Sequence, residues 1–127
     1  MIAQPRTSPA PVVALVEGDP AVTHAISFAF GLEGLQVRPH AAGADLLADG
    51  AAGVGCIVAN AQLPDMSGLE LLGRLRAEGV RTPGILIATH PGPALRQGAR
   101  AAGVTIVEMP LLNDALLDTV RSALEAG

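Results

Sequence analysis

The side chains able to do chemistry in this chain fall mostly just after apolar runs. Glu17-Gly18-Asp19 follows Val12–Val16, and His40 closes the stretch that starts at Leu35. Asn60-Ala61-Gln62 follows Gly55–Ala59, Ala88-Thr89-His90 ends the run from Gly84, and Met109-Pro110 follows Val104–Glu108. Two imidazoles, His40 and His90, together with Glu17 suggest zinc, but no ligand spacing of the zinc type is present. A phosphate cradle needs a loop of free amides rich in Gly or hydroxyls. The acids of Glu17-Gly18-Asp19 oppose a phosphate instead. Cys56 sits inside an apolar run and reads as a small buried core residue, not a reactive thiol. His24 lies in an amphipathic stretch and reads as a surface residue. All eight basic residues are Arg, with no lysine in the chain.

These positions recur because strand-like and helix-like stretches alternate. Val12–Glu17 is a continuous apolar run ending in acid, as expected of a strand covered on both faces. Asp19-Pro20 is a helix start, with Asp as cap and Pro at the first turn. Val22, Ile26, Ala29 and Phe30 follow at helical spacing, and Gly31 and Gly34 end the helix near residue 32. A second strand is predicted over Leu35–Pro39, a short helix over Ala42–Asp49 weakened by Gly43, and a third strand over Gly55–Ala59. The loop Asn60–Met66 leads into Ser67-Gly68-Leu69-Glu70, a capping box in which Ser caps forward and Glu reaches back. Leu69, Leu72 and Leu75 mark a helix to about Glu78. Pro83 precedes a fourth strand, Gly84–Ala88, and His90–Pro93 is a loop. Ala94–Ala102 is a helix weakened by Gly98. Val104–Glu108 is a fifth strand stopped by Pro110. Asn113–Glu125 is a last helix with Leu116, Val120 and Leu124 on one face.

Strand and helix thus alternate five times. That order implies an α/β fold: a parallel sheet with right-handed crossovers and helices on both faces. In such sheets the functional crevice lies beyond the carboxyl ends of the strands, where the polar residues named above collect. The 127 residues make one domain, with residues 1–11 read as a loose N-terminal tail and 12–127 as the domain. Half the residues are apolar and 16% are charged, which argues against disorder. No apolar run is long enough to span a bilayer and no secretory signal is visible, so the cytoplasm is the expected compartment. A net charge of −4, no basic cluster and only Phe28 and Phe30 as aromatics argue against nucleic-acid binding.

The segments VALVEGDPAV, VANAQLPDMSGLELLGRL, PGILIATH and EMPLLNDALLDTV resemble the receiver domain of two-component response regulators, in the flavour of the FixJ-type transcriptional regulators. The resemblance runs from Val12 to Leu124. It implies a three-layer flavodoxin-like (βα)5 fold with sheet order 2-1-3-4-5. It also implies phosphorelay signalling: a histidine kinase passes a phosphoryl group to an Asp ending the third strand. An acidic pair after strand one helps hold Mg²⁺ there. A Ser or Thr after strand four and a Lys before a Pro after strand five contact the phosphoryl oxygens.

Several of those positions depart from the pattern. The acceptor position is Asn60, whose amide is not a carboxylate nucleophile and forms no acyl phosphate. The acidic pair falls on Glu17 and Gly18, so one acid is gone, and Asp19 serves as a helix cap. The hydroxyl position is Ala88, with Thr89 one residue late and expected to point elsewhere. The lysine position is Met109. The aromatic switch position is Ile106. Mg²⁺ wants about six hard oxygens. Glu17, Asp19, the Asn60 amide oxygen and the Gln62 carbonyl would hold it weakly or not at all, so no cofactor is expected. Carboxylates 4 Å apart repel by up to roughly 4 kcal/mol at an effective dielectric near 20. Asn60 and Gly18 remove most of that repulsion, leaving a neutral crevice partly filled by Met109.

The expected function is therefore a pseudo-receiver, not an enzyme, that acts through phosphorylation-independent protein–protein interaction. Its partner would be a sensor kinase, a phosphotransfer protein or another regulator. A homodimer is expected through the face of the fourth helix, fifth strand and fifth helix, with Leu111 or Leu112 exposed there and Arg96, Arg100, Asp118 and Arg121 as polar contacts. The first helix, carrying His24, is the other candidate surface, because kinases dock there in relatives. Two alternatives stand beside this. One is a receiver phosphorylated on another carboxylate, Asp65 or Asp19. The other is the receiver part of a longer transcriptional regulator; no DNA-binding domain follows before Gly127, so transcriptional output would need that longer chain. A small-molecule binder ranks last.

Overall fold

The protein is described here by a computed structural model, which covers residues 10–110 and 114–126. Most of the expected N-terminal tail, together with Leu111, Leu112 and Asn113, lies outside the described residues. In chain order the elements are β1 (Val12–Val16), α1 (Pro20–Leu32), β2 (Gln36–His40), α2 (Gly43–Asp49), β3 (Cys56–Asn60), α3 (Gly68–Ala77), β4 (Gly84–Thr89), α4 (Pro93–Ala101), β5 (Thr105–Met109) and α5 (Ala115–Ala126). All neighbouring strands run parallel in the order β2-β1-β3-β4-β5, the flavodoxin-like arrangement. No helix among the described residues is long and apolar enough to cross a membrane.

Successive strand residues point to opposite faces, so continuous apolar strands feed two cores. Val13, Leu15, Cys56, Val58, Ile85, Ile87 and Val107 pack with Ile26 and Phe30 of α1 and Leu116 and Val120 of α5. Ala14, Val16, Ile57, Ala59 and Leu86 pack with Leu46 of α2, Leu71, Leu72 and Leu75 of α3, and Ala99 of α4. Cys56 is fully buried, and loss of solvent pushes its thiol up to about 12. It is a core residue, as its neighbours in sequence indicate.

Strands β2 to β5 each end one residue later than hydropathy alone places them. Asn60 still pairs with Ile87 and Thr89 with Met109, because a ladder runs on backbone groups and continues into polar residues. Two helix starts also differ from expectation. Ser67 Oγ accepts from Glu70 N at 3.0 Å, but the Glu70 carboxylate turns to Arg74 at 2.5 Å and leaves the capping box half made. On α2 the cap residue Ala42 has no side chain to offer. Asp65, 21 residues or more away, supplies the cap: its oxygens accept from Gly43 N at 2.9 Å and Ala44 N at 2.8 Å. Those two bonds, Ala44 first, hold the Asp65 carboxyl below its ordinary value of 3.8.

Two glycines are required by close approach. A Cβ on Gly43 would lie 2.6 Å from the Met66 sulfur, so the residue that weakens α2 in sequence lets the β3–α3 loop close over it. A Cβ on Gly68 would lie 2.3 Å from the Asn60 carbonyl oxygen, so α3 begins directly against the end of β3.

Two outcomes follow. Gly68→Ala forces backbone apart and is expected to cost about 3 kcal/mol by denaturant titration; a loss below 1 kcal/mol contradicts the contact. Asp65→Ala is expected to lower the melting temperature near neutral pH. Because folding depresses the Asp65 pKa, its contribution is present above 3.8 and fades as pH falls through the folded value. The gap between wild type and variant therefore closes on acidification; a gap that widens in acid refutes the cap.

Candidate functional site

The carboxyl ends of β1 and β3 are tied by side chains. Glu17, directly after β1, is 5% exposed. Its Oε2 accepts from Asp19 N at 2.9 Å, and its Oε1 accepts from Asn60 Nδ2 at 2.8 Å. Asn60 Oδ1 in turn accepts from Gln62 N at 2.9 Å. The amide's orientation has only one solution. A carboxylate offers acceptors only, so it takes the NH₂ end, and the Gln62 N–H takes the carbonyl end. Asn60 thus links two loops, with donor and acceptor both used.

The rest of the sequence-derived set lies around this link. Gly18 is exposed, and a Cβ on it would meet Pro64 Cγ at 3.1 Å and Pro64 Cδ at 3.2 Å. A side chain here would need Pro64 to give by a few tenths of an ångström. Asp19 Oδ1 accepts from Ala21 N at 2.9 Å and so caps α1, as expected. Gln62 contributes its N–H through the Asn60 bond. Ala88 is buried at the end of β4.

Asn60, Gln62, Ala88, Thr89 and His90 share a cleft of about 350 Å³ with Gly92 and Leu95. Thr89 therefore borders the same cleft, contrary to the expectation that it points elsewhere. It is the last residue of β4, and the chain turns at His90, which has φ 49°. His tolerates that left-handed region better than most side chains. Met109 ends β5 half-buried, packed against the core shared by α1 and α5, and its bond to Pro110 is cis. Ile106 is half-buried on the opposite face, against the core of α2, α3 and α4. Met109 and Ile106 thus occupy different layers.

The histidines do not converge. His40 is buried and its Nε2 lies 3.0 Å from Asp49 Oδ2 of α2. His24 is exposed on α1, beside a second cleft of about 490 Å³ bordered by Glu17, Thr23, Ser27 and Pro39. Among the described residues no group of three His, Cys, Asp or Glu side chains is arranged to hold a metal ion. Sequence reading missed the His40–Asp49 pair and the Asp65 cap. Neither has a local spacing signal, since each joins elements that only the fold brings together.

Arg96 pairs with Glu108 across α4 and β5. Arg121 reaches away from that face to Glu33 at the end of α1, at 2.7 Å, which corrects its assignment to the expected dimer surface. A long side chain on α5 reaches the neighbouring helix because α1 and α5 share one layer.

Residues 13–121 match the family described as the response regulator receiver domain. Among curated proteins the chain is 33% identical over 118 residues to the C4-dicarboxylate transport transcriptional regulatory protein DctR of Rhodobacter capsulatus, covering 90% of this chain and 60% of that protein. It is 33% identical over 117 residues to the transcriptional regulatory protein FixJ of Azorhizobium caulinodans, covering 88% of this chain and 54% of FixJ. The chain therefore spans little more than half the length of these relatives. Its structure is similar to the crystal structure of FixJ-N, with a TM-score of 0.81 at 28% identity, over 91% of this chain and 94% of that one. This chain belongs to the response regulator receiver domain family.

Proposed function

We propose that this receiver is a pseudo-receiver: it signals by binding proteins in one standing conformation and takes no phosphoryl group. The observation that carries this reading is the Asn60 amide, which occupies the family's acceptor position and spends both its ends on Glu17 and Gln62. An amide offers no anionic oxygen to attack a phosphorus atom. The supporting groups are replaced as well, with Gly18, Ala88 and Met109 where the family uses an acid, a hydroxyl and a lysine. Pro64 lies close to Gly18, so a side chain restored there would make it give by a few tenths of an ångström.

The residues do not fit Mg²⁺. The buried carboxylate of Glu17 already receives two N–H groups, and Asn60 turns its nitrogen toward that carboxylate. A cation would have to displace this donor and find most of its six oxygens elsewhere. The alternative acceptors fit poorly: both oxygens of Asp65 hold the start of α2, and Asp19 caps α1. With Ala88 lacking a hydroxyl and Ile106 packed inward, no switch element has a phosphoryl group to answer.

Partners suited to such a domain are a sensor kinase, a phosphotransfer protein or another regulator. Placed in a longer regulator, as its relatives' lengths suggest, the domain would pass its contacts to an attached output domain.

Incubation with acetyl phosphate and intact-mass measurement tests the proposal. No phosphoryl adduct is expected; an adduct abolished by Asp65→Ala or Asp19→Ala would replace this reading with the alternative acceptor. Millimolar Mg²⁺ is expected to leave the melting temperature of the wild type unchanged, whereas a rise of several degrees would show a working metal site. Asn60→Asp sets two carboxylates against each other and removes a donor, at a cost on the order of 2 kcal/mol. Mg²⁺ should return part of that loss in the variant alone; equal stability of variant and wild type without metal would discredit the link.

A further inference from the structure

One buried charge is left without a counter-charge. Glu17 is buried and receives two N–H groups, from Asp19 and Asn60. A carboxylate has about four lone-pair sites, so roughly two stay open. The chain has no lysine, and among the described residues Glu17 takes part in no ion pair. Asp19 and Asp65 lie at the same end of the sheet and add to a field that draws cations.

The cleft of about 490 Å³ beside Glu17 has a volume ordinary for a small-molecule site. Strand residues alternate between faces, so Glu17 follows Val13 and Leu15 onto the α1 side of the sheet, where this cleft lies. Pro39, paired with Leu15, forms its β2 wall. Pro20, Thr23, His24 and Ser27 form its α1 wall, at the spacing of one helix side. In α5, Thr119 turns its hydroxyl back to Ala115 O at 2.7 Å, a common fate of a helical threonine. The hydroxyls of Thr23 and Ser27 bond no other described residue. No arginine borders the cleft.

We propose that this cleft binds a short alkylammonium compound, with the ammonium N–H groups on Glu17 and a second polar group of the ligand on Thr23 and Ser27. The chemistry follows from what Glu17 still lacks. An ammonium supplies donors and positive charge together, and such charge-assisted bonds are the strong ones. It can add to the open lone pairs while Asn60 keeps its place, whereas Mg²⁺ demands a full shell of oxygens and gives up its water reluctantly. Positions 20 to 27 extend about 10 Å along α1, which suits a stem of a few carbons. This goes beyond the silent-site reading and fails separately from it, because phosphoryl transfer is read by mass and amine binding by titration.

Amide chemical shifts followed during addition of putrescine, a short diamine, test the proposal. Fixed ionic strength and about pH 8 keep screening constant and imidazoles neutral. Saturable shifts at Glu17, Thr23, His24 and Ser27 are expected at millimolar amine. Butanediol, which lacks charge, and tetramethylammonium, which lacks N–H groups, should bind roughly tenfold more weakly or worse. Glu17→Gln should weaken putrescine by roughly tenfold or more. Should that variant not fold, Thr23→Val, at a half-buried helix position, should still weaken binding severalfold with an unchanged melting temperature. Absence of saturable shifts in the wild type overturns the inference, as does equal binding of tetramethylammonium. So does undiminished binding by a folded Glu17→Gln or by Thr23→Val. Shifts confined to Asn60, Thr89 and His90 also overturn it, since they would put the amine in the other cleft.

Discussion

The site turns on one side chain that must satisfy two neighbours at once. Glu17 is a carboxylate removed from solvent, with no lysine anywhere in the chain to balance it. A buried carboxylate needs hydrogen-bond donors around it. The backbone of Asp19 gives one donor and Asn60 gives the other, while the other end of Asn60 fixes the turn at Gln62. The same amide therefore closes β1 to β3 and sets the start of the loop into α3. The loop then reaches α2 and Gly18 through Asp65, Met66 and Pro64, so the crevice is stiffened by hydrogen bonds and packing.

Much of the fold was legible because strand burial here is two-sided. Runs such as Val13–Val16 and Ile57–Ala59 have no polar position to interrupt them, and only a covered parallel sheet permits that. Strand ends were less legible, since Asn60 and Thr89 are polar yet still inside the ladder. Asp19 as a cap and Cys56 as core followed from local chemistry alone. The sheet order did not follow from periodicity and needed the family resemblance.

Within the site, positions 17, 18, 60, 88 and 109 could be named from sequence, but not what they do. Nothing in the order of residues says that Asn60 points its nitrogen at Glu17, or that Pro64 lies beside Gly18. Those facts depend on side chains 43 and 46 positions apart. Glu70 is an instructive miss: its spacing from Ser67 predicts a reach backward, and an Arg one turn ahead drew it the other way.

The stretch Pro64–Gly68 is also part of the segment that most specifically resembles the family. Residue by residue it has mechanical duties: it abuts the β1 loop, holds the first turn of one helix, covers a glycine, opens the next helix and seats that helix on β3. A scan keyed to this motif finds the fold, whatever residue stands at position 60. What the motif certifies is a well-tied corner in the polypeptide, a piece of joinery that remains sound whether or not a reaction takes place beside it.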